Sequence, residues 1–327
     1  MEVTSLLRRT LLAAASSERL RRAVTTAPQT RAIVNRYVAG DTTADAVRAA
    51  RELRAAGLLV SLDYLGEDTT DAAQAADVTR TYLGLLRELS GAGLTGGGGC
   101  EVSVKATAVG LFVPEHGEKT AAENIGRICA AARDAGTTVT LDAEDHTAVG
   151  PTLHIAGELR SDFPDLGCVV QSRLRRSQAD CAELAGTGAR VRLCKGAYDE
   201  PPDVAYTARR DVDRSYVRCM RLLMAGDGYP MLATHDPRLI DIATTLALMS
   251  GRSAGRFEYQ MLYGIRPAEQ QRLAGTGARV RVYTPYGGDW YSYLVRRLAE
   301  RPGNLGFFLR SLAPSGGARE RTARPAR

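Results

Sequence analysis

The sequence is short of lysine and histidine and contains no long apolar run. Only three of its 43 basic residues are lysines, Lys105, Lys119 and Lys195, and it has four histidines. No apolar stretch reaches the roughly 20 residues that a membrane-spanning helix needs. The apolar residues after Arg8 and Arg9 are cut off by charge too early for a twin-arginine export signal. We therefore expect a cytoplasmic protein.

Cysteine is present but is not arranged for metal or disulfide chemistry. The six cysteines lie at positions 100, 129, 168, 181, 194 and 219, and no pair has the spacing of a zinc or redox motif. In a chain of this size they are expected to be reduced and mostly buried. The carboxylates of Asp142 and Glu144 have no companion histidine motif after a strand. We therefore predict no metal site.

The composition is that of a globular protein with a basic C-terminal segment. Hydrophobic residues make up 44% of the chain and charged residues 24%, which is typical of a chain with a buried core. The net charge is +6, and residues 313–327 carry four arginines against one glutamate. Such a segment is typically disordered, and the aromatic residues of a nucleic-acid platform are missing. We expect a basic disordered tail and no nucleic-acid binding.

From residue 58 onwards, short β-branched runs alternate with helical periods. The runs predict strands at Leu59–Tyr64, Glu101–Lys105, Thr138–Asp142, Cys168–Gln171, Arg190–Cys194, Met231–Thr234, Phe257–Gln260 and Arg279–Tyr283. Helical patterns between them include Thr70–Leu89, Lys119–Asp134, Ser177–Ala185, Val204–Met224, Pro237–Met249 and Pro267–Ala274. Eight alternations predict an α/β fold, a (β/α)8 TIM-like barrel. An open doubly wound sheet is the alternative, but no Gly-x-Gly-x-x-Gly follows the first strand.

Changes in composition and residue pattern along the chain predict three regions. Residues 1–55 are rich in alanine and arginine and helical in pattern, so we expect an N-terminal helical arm. Residues 56–312 are the predicted catalytic barrel, and residues 313–327 are the tail. A nine-residue repeat supports the strand assignment: residues 184–192 recur at residues 273–281. Each copy reads as a helix end, a glycine stop and the start of a strand.

Residues 279–300 suggest a binding site for a small carboxylate. This stretch begins as a strand through Tyr283, breaks into a turn at residues 284–288 and continues as a helix. On that helix Tyr293, Arg296 and Arg297 share a face. Guanidinium groups bind carboxylates bidentately, and a phenol ring can pack on the apolar part of a ligand. A solvated helix face is the other interpretation of the same residues.

Polar residues at the other strand ends point to the same region, since barrel active sites form at the carboxyl ends of the strands. These ends carry Glu67, Lys105, Asp142, Glu144, Gln171, Arg173, Arg192, Lys195, Thr234, His235, Gln260, Tyr263 and Tyr283. A lysine in such a place also suits Schiff-base chemistry, so a cofactor-free aldolase that uses Lys195 is an alternative. A ligand-binding or regulatory barrel without catalysis is a second alternative.

Seven motifs at these strand ends resemble, in order, those of the proline dehydrogenase family. They are Val102–Lys105, Leu141–Glu144, Val170–Ser172, Arg192–Tyr198, Ala233–Asp236, Phe257–Gln260 and Tyr293–Arg297. Each motif alone is weakly specific, but seven in order are strongly so, and the resemblance covers residues 58–312. The chain is similar to the monofunctional bacterial form, because a fused aldehyde dehydrogenase domain would not fit in its length.

The resemblance implies a barrel that binds FAD and oxidises L-proline to Δ1-pyrroline-5-carboxylate, the first step of proline catabolism to glutamate. Hydride passes to flavin N5 in this family, and the electrons pass on to a quinone. By resemblance, Asp142 and Arg192 are catalytic, with Arg192 near N5. The implied substrate-binding residues are Lys105, Arg296, Arg297, Tyr283, Tyr293 and Glu67. The implied flavin contacts are Ala143, Gln171, Arg192, Lys195, Gly196, Ala197, Thr234 and His235.

The same resemblance implies partners beyond the substrate. A pyrroline-5-carboxylate dehydrogenase is expected to consume the product. Because quinones reside in membranes, peripheral association with the inner face of the cell membrane, through the first helices or the basic tail, is a further hypothesis.

Overall fold

The structure, a computed structural model, describes residues 34–291 together with residues 293 and 294. The chain divides into two compact units: Asn35–Trp290 form one, and Met1–Val34 with Tyr291–Arg327 form the other. The first unit includes residues 35–55, which the sequence assigned to the N-terminal arm. Most of that arm and the whole tail lie outside the described residues, so the predicted domain boundaries stay a prediction.

Eight parallel strands close into a barrel within the first unit. In chain order they are β1 Leu59–Tyr64, β2 Cys100–Val104, β3 Val139–Leu141, β4 Gly167–Gln171, β5 Arg190–Cys194, β6 Tyr229–Ala233, β7 Glu258–Leu262 and β8 Val280–Tyr286. Each strand pairs with the next, and β8 closes on β1 with Arg281 opposite Leu59. The predicted (β/α)8 fold class is confirmed.

Helices precede the barrel and alternate with its strands. They are α1 Thr43–Ala55, α2 Ala72–Gly91, α3 Gly117–Asp134, α4 His146–Leu159, α5 Ser177–Ala185, α6 Arg209–Ala225, α7 Pro237–Met249 and α8 Pro267–Gly275. Helix α7 has its predicted bounds because Pro237 fits the first turn and Asp236 caps it, accepting the backbone N–H of Arg238 at 3.1 Å. None of the described helices is long and apolar enough to cross a membrane.

The strands carry different residues on their two faces. Residues such as Val60, Leu62 and Val102 are fully buried in the apolar layer between strands and helices. Alternate residues point into the barrel, because successive side chains of a strand face opposite ways. Many of these interior residues are polar or charged: Ser61, Asp63, Glu101, Ser103, Thr140, Arg190, Arg192, Glu258, Gln260 and Arg281. An apolar shell thus surrounds an interior that is rich in polar and charged side chains.

Four charged residues fill the interior near the amino ends of the strands, and we call them the floor cluster: Glu101, Arg190, Glu258 and Arg281. Arg281 Nε lies 2.6 Å from Glu258 Oε1, and Arg190 Nη2 lies 2.6 Å from Glu101 Oε2. Burial would raise the pKa of Glu101, but Arg281 and Arg190 outweigh it and lower that pKa. The pKa of Glu258 is lowered in the same way, chiefly by Arg281. The floor cluster therefore balances two buried acids with two arginines.

The predicted turn after the last strand was placed too early. Strand β8 continues to Tyr286, so Thr284 and Pro285 are strand residues. Pro285 lacks an N–H for a ladder hydrogen bond, but its carbonyl accepts the N–H of Ala39 at 2.9 Å. The strand continues past the predicted turn because Thr284, Pro285 and Tyr286 pair with Leu62, Asp63 and Tyr64 of β1.

A smaller prediction in the β5–α6 region was also wrong. The helix expected from Val204 begins at Arg209, because the carbonyl of Val204 accepts the N–H of Arg175 at 2.9 Å and holds this segment out of the helix. The cysteines are mostly buried, as expected: five are buried and Cys194 is partly buried.

Candidate active site

The carboxyl ends of the strands form one rim, because all eight strands run in the same direction. We call this rim and the interior just below it the mouth. The structure places there Glu67 after β1, Lys105 after β2, Asp142 and Ala143 after β3, Gln171 at the end of β4, Arg192 within β5, Lys195, Gly196 and Ala197 after β5, Thr234 and His235 after β6, and Tyr283 within β8.

Three predicted substrate residues are not placed in the mouth. Arg296 and Arg297 lie outside the described residues. Tyr293 is described, but it belongs to the other unit. Their assignment to the substrate site therefore stays a prediction.

Arg192 crosses the barrel interior with all five of its N–H donors engaged. The acceptors are Gln260 Oε1 at 2.6 Å, Asp142 Oδ1 at 2.7 Å, Ser103 Oγ at 2.9 Å, Ser61 Oγ at 3.1 Å and Glu101 Oε1 at 3.4 Å. Burial would lower the pKa of the guanidinium, but Asp142 and Glu101 outweigh it and raise that pKa. A cation held at five points keeps its charge and its orientation, as a preorganised site requires.

Asp142 links Arg192 to Tyr283. The Tyr283 hydroxyl donates to Asp142 Oδ2 at 2.7 Å, while Arg192 donates to the other oxygen. The guanidinium carbon of Arg192 also lies 5.3 Å from the centre of the Tyr283 ring, within cation–π range. Burial, and then the Asp142 charge, raise the pKa of Tyr283 well above 10, so the phenol stays protonated. The two predicted catalytic residues and one predicted pocket wall thus form one connected group.

Lys105 is held by a residue that the sequence reading missed. Its Nζ lies 2.6 Å from Asp63 Oδ1 and 2.7 Å from Asp63 Oδ2. Burial opposes the charge of Lys105, but the carboxylates of Asp63, Asp142 and Glu67 outweigh it and raise the pKa of the amine. Asp63 sits inside β1 rather than at its end. The available signal was the polar pair Ser61 and Asp63 at alternate positions of β1.

Two loops meet above the mouth through Glu67. Glu67 follows β1, and its Oε2 accepts the hydroxyl of Tyr198, which follows β5, at 3.2 Å. Arg173, after β4, donates to the carbonyl of Tyr198 at 3.2 Å. Tyr198 was the last residue of a recognised motif but was not assigned a role. The contact joins opposite sides of the rim.

Gly196 and Gln171 form a tight corner between β4 and β5. Gly196 has a φ of 94°, and a Cβ there would lie 2.9 Å from Gln171 Oε1, so no larger side chain fits without movement. Gln171 is itself fixed, because its Nε2 donates to the carbonyl of Glu144 at 2.7 Å. Gly196 is only partly buried and has no side chain, so a flat group could approach the rim closely here.

Lys195, Thr234 and His235 continue this side of the rim. Lys195 Nζ lies 2.5 Å from Asp213 and 3.6 Å from Asp236. His235 Nε2 accepts the N–H of Leu262 at 2.9 Å, which places the ring proton on Nδ1. A Schiff-base lysine needs a neutral amine, whereas Lys195 faces two carboxylates. This geometry does not favour the aldolase alternative.

The predicted residues separate into two arcs of the rim. The predicted flavin contacts follow β3, β4, β5 and β6, which are consecutive strands in the barrel. The described substrate candidates Tyr283, Glu67 and Lys105 follow or lie in β8, β1 and β2, which are also consecutive. Arg192 reaches from the first arc toward the second. The mouth could therefore hold an extended cofactor on one side and a small acid on the other.

Comparison with known sequences gives a consistent result. A family model described as proline dehydrogenase matches residues 46–310. Proline dehydrogenase of Deinococcus radiodurans is 39% identical over 282 residues, which cover 86% of this chain and 90% of that protein. Proline dehydrogenase 1 of Bacillus subtilis is 36% identical over 283 residues, covering 86% and 91%.

The barrel is also similar to a solved structure. The crystal structure of proline utilization A from Bdellovibrio bacteriovorus, inactivated by N-propargylglycine, matches with a TM-score of 0.78 and 24% identity. The match covers 88% of this chain but 34% of that one. The likeness extends to the fold, and the chain spans about a third of that larger protein.

Proposed function

The chain belongs to the proline dehydrogenase family, and from that premise we propose that it oxidises L-proline to Δ1-pyrroline-5-carboxylate with bound FAD. The observation that carries the proposal is the connected group of Arg192, Asp142 and Tyr283 beside the buried cation Lys105. It provides fixed positive charge among buried side chains, where such charges act most strongly.

We assign the substrate carboxylate to Lys105. An ammonium group has three N–H donors, and Asp63 accepts two of them at most. Among the described residues no further acceptor is recorded for Lys105, which leaves one donor for a ligand. Arg296 and Arg297 would complete the carboxylate site, with Tyr293 and Tyr283 beside the ring and Glu67 over it.

We assign the cofactor to the other arc, where Ala143, Gln171, Arg192, Lys195, Gly196, Ala197, Thr234 and His235 would hold FAD. The close backbone approach at Gly196 fits a flat ring system, and Lys195 fits an anionic group. When bound, the flavin accepts two electrons and a proton as hydride at N5.

The residues of the chain would act on the substrate amine through charge and position. Oxidation at the carbon next to nitrogen requires a neutral amine, whose lone pair can assist. Arg192 and Lys105 disfavour a second positive charge nearby and so lower the pKa of a bound amine. Fixing the carboxylate orients the reacting carbon, an effect worth on the order of 7–11 kcal/mol in model systems. Arg192 would also stabilise negative charge that develops beside it.

We further propose that the electrons pass to a quinone, that the enzyme is cytoplasmic or peripheral to the membrane, and that a pyrroline-5-carboxylate dehydrogenase takes the product. Contact with anionic lipid would come from the first helices or from residues 313–327, where each basic residue contributes about 1 kcal/mol. Sedimentation with anionic vesicles should weaken when residues 313–327 are deleted. Unchanged sedimentation would exclude the tail.

The visible spectrum of the purified protein tests the central proposal. We expect an oxidised flavin spectrum that bleaches on anaerobic addition of L-proline. A flavin spectrum that proline leaves unchanged would keep the cofactor but reject the substrate. A protein that takes up no flavin after reconstitution with FAD would contradict the proposal as a whole.

A further inference from the structure

Glu144 is a buried acid that the proposed reaction does not use. Its side chain is almost inaccessible, and burial raises its pKa to about 7. Among the described residues, no ion pair is recorded for it. Both of its oxygens are occupied by a single neighbour: the N–H of Thr107 donates to Oε1 at 3.1 Å, and the Thr107 hydroxyl donates to Oε2. A buried carboxyl held only by neutral groups is costly, so its presence needs an explanation.

Thr107 also forms hydrogen bonds with the loop that carries Glu67. The backbone N–H of Asp68 donates to Thr107 Oγ1 at 2.9 Å, and the N–H of Thr69 donates to the Thr107 carbonyl at 3.2 Å. A hydroxyl has one hydrogen. Because Thr107 accepts from Asp68, its own hydrogen points to Glu144. The hydrogen bonds thus run in one direction, from Asp68 through Thr107 to Glu144.

The loop of residues 65–71 has a backbone that needs such support. Asp68 has a φ of 58°, in the left-handed region that residues other than glycine rarely adopt. Gly66, two positions earlier, also has a positive φ, of 151°. Glu67 lies between them, so its direction depends on both neighbours. Strained backbone persists where surrounding interactions fix it, and here the bonds from Asp68 and Thr69 to Thr107 do so.

We propose that Glu144 is a positioning residue that acts through Thr107 to hold Glu67 over the mouth, where it meets Tyr198. Glu144 would orient Thr107, Thr107 would hold the left-handed turn at Asp68, and the turn would aim Glu67 at the loop after β5. The consequence for catalysis rests on the proposed function, because it assumes that L-proline binds below Glu67. The effect on the loop itself does not depend on the ligand.

The test compares Thr107→Val, which removes the hydroxyl but keeps the branched shape, with Thr107→Ser, which keeps the hydroxyl. Amide hydrogen exchange over residues 65–71 should become faster by on the order of tenfold in Thr107→Val, the loss of one hydrogen bond, and stay near wild type in Thr107→Ser. In the same proteins KM for L-proline should rise about fivefold or more in Thr107→Val with kcat changed less. Thr107→Ser should restore both quantities.

Glu144→Gln keeps the test decisive if Thr107→Val does not fold. Its amide would offer hydrogens to Thr107 where the carboxylate accepts one, so exchange over residues 65–71 and KM should move in the same direction by a smaller factor. Where Thr107→Val does fold, its effects and those of Glu144→Gln should not add in the combined protein, since the two residues act through the same hydrogen bonds. Exchange equal to wild type in the foldable variants, or a rise in KM that Thr107→Ser does not reverse, would overturn the proposal. If wild-type protein ignores L-proline while the exchange pattern holds, the proposed function fails and the positioning role stands.

Discussion

Arg192 and Arg281 occupy the same position in the two copies of the nine-residue repeat, yet they are held by different groups. Arg281 donates to both oxygens of Glu258 and to the backbone carbonyls of Val60 and Gly98. Arg192 donates only to side chains, which come from β1, β2 and β7 and from the loop after β3. Arg281 connects strands at the floor, whereas Arg192 places a fixed charge at the mouth. The surrounding strands, not the local sequence, decide which task each arginine has.

The acidic residues of the floor and the mouth differ in how their surroundings shift their pKa values. At the floor, arginines lower the pKa of Glu101 and Glu258, so these groups stay ionised. At the mouth, burial dominates and raises the pKa of Asp63 and of Glu144. Charges at the floor are compensated within the protein, whereas those at the mouth are less so. Incomplete compensation is typical of sites that bind or transform a ligand.

The largest effect on stability is expected from Arg281→Met. The substitution leaves Glu258 buried without its main counter-charge, and breaking a buried pair costs about 3–5 kcal/mol. Denaturant unfolding should show that loss. The kcat/KM of the fraction that remains folded should stay near wild type. A variant of normal stability that loses activity would reverse the roles given to floor and mouth.

Stability should also depend on pH through Glu144. Its folded-state pKa of about 7 lies above the ordinary value of 4.5, so ionisation opposes folding. Its contribution to stability is complete below pH 4.5 and is lost as the pH rises through 7, a loss of about 2–3 kcal/mol between pH 5 and 8. Glu144→Gln should remove this dependence. Parallel curves of unfolding free energy against pH for the two proteins would contradict the raised pKa.

Lys105→Met should reduce activity more than stability. The variant leaves Asp63 buried, but the raised pKa of that acid lets it take up a proton and limits the cost of folding. A charge-assisted hydrogen bond to the substrate is worth roughly 1.5–3 kcal/mol, so kcat/KM for L-proline should fall about tenfold or more. Steady-state kinetics and denaturant unfolding on one preparation would measure both. Normal kinetics with a large loss of stability would place Lys105 with the floor residues.

The smallest effect is expected from Arg272→Met, which serves as the matched control for Arg281→Met. Arg272 is exposed on α8 and pairs with Glu269 at 2.8 Å. Exposed ion pairs contribute little because water and salt screen them. The unfolding midpoint and kcat/KM should match wild type. A clear loss in this variant would mean that arginine replacement as such, and not burial, explains the effect at Arg281.

Much of the barrel could be predicted from periodicity. Strand β5 alternates Arg190, Val191, Arg192 and Leu193, and its bounds were predicted correctly. The extension of β8 through Pro285 could not be predicted, because it depends on pairing with Leu62, Asp63 and Tyr64 of β1, which are distant in the chain.

The candidate site was predictable at the strand ends but not inside the strands. Residues such as Asp142 and Lys105 follow strands and were found by position. Asp63, Glu101 and Glu258 lie within strands, and their partners are distant in the chain. Charged residues at alternate strand positions were the available signal that the barrel interior is polar.

The most direct test of the account compares two substrates in three proteins. L-Prolinamide keeps the ring and amine of L-proline but lacks the carboxylate. The ratio of kcat/KM for L-proline to kcat/KM for L-prolinamide does not depend on how much of the protein is folded. This ratio should fall about tenfold or more in Lys105→Met, because the variant loses a charge-assisted hydrogen bond to the carboxylate. The same ratio should match wild type in Arg281→Met. An unchanged ratio in Lys105→Met would contradict the assignment of the mouth to carboxylate binding.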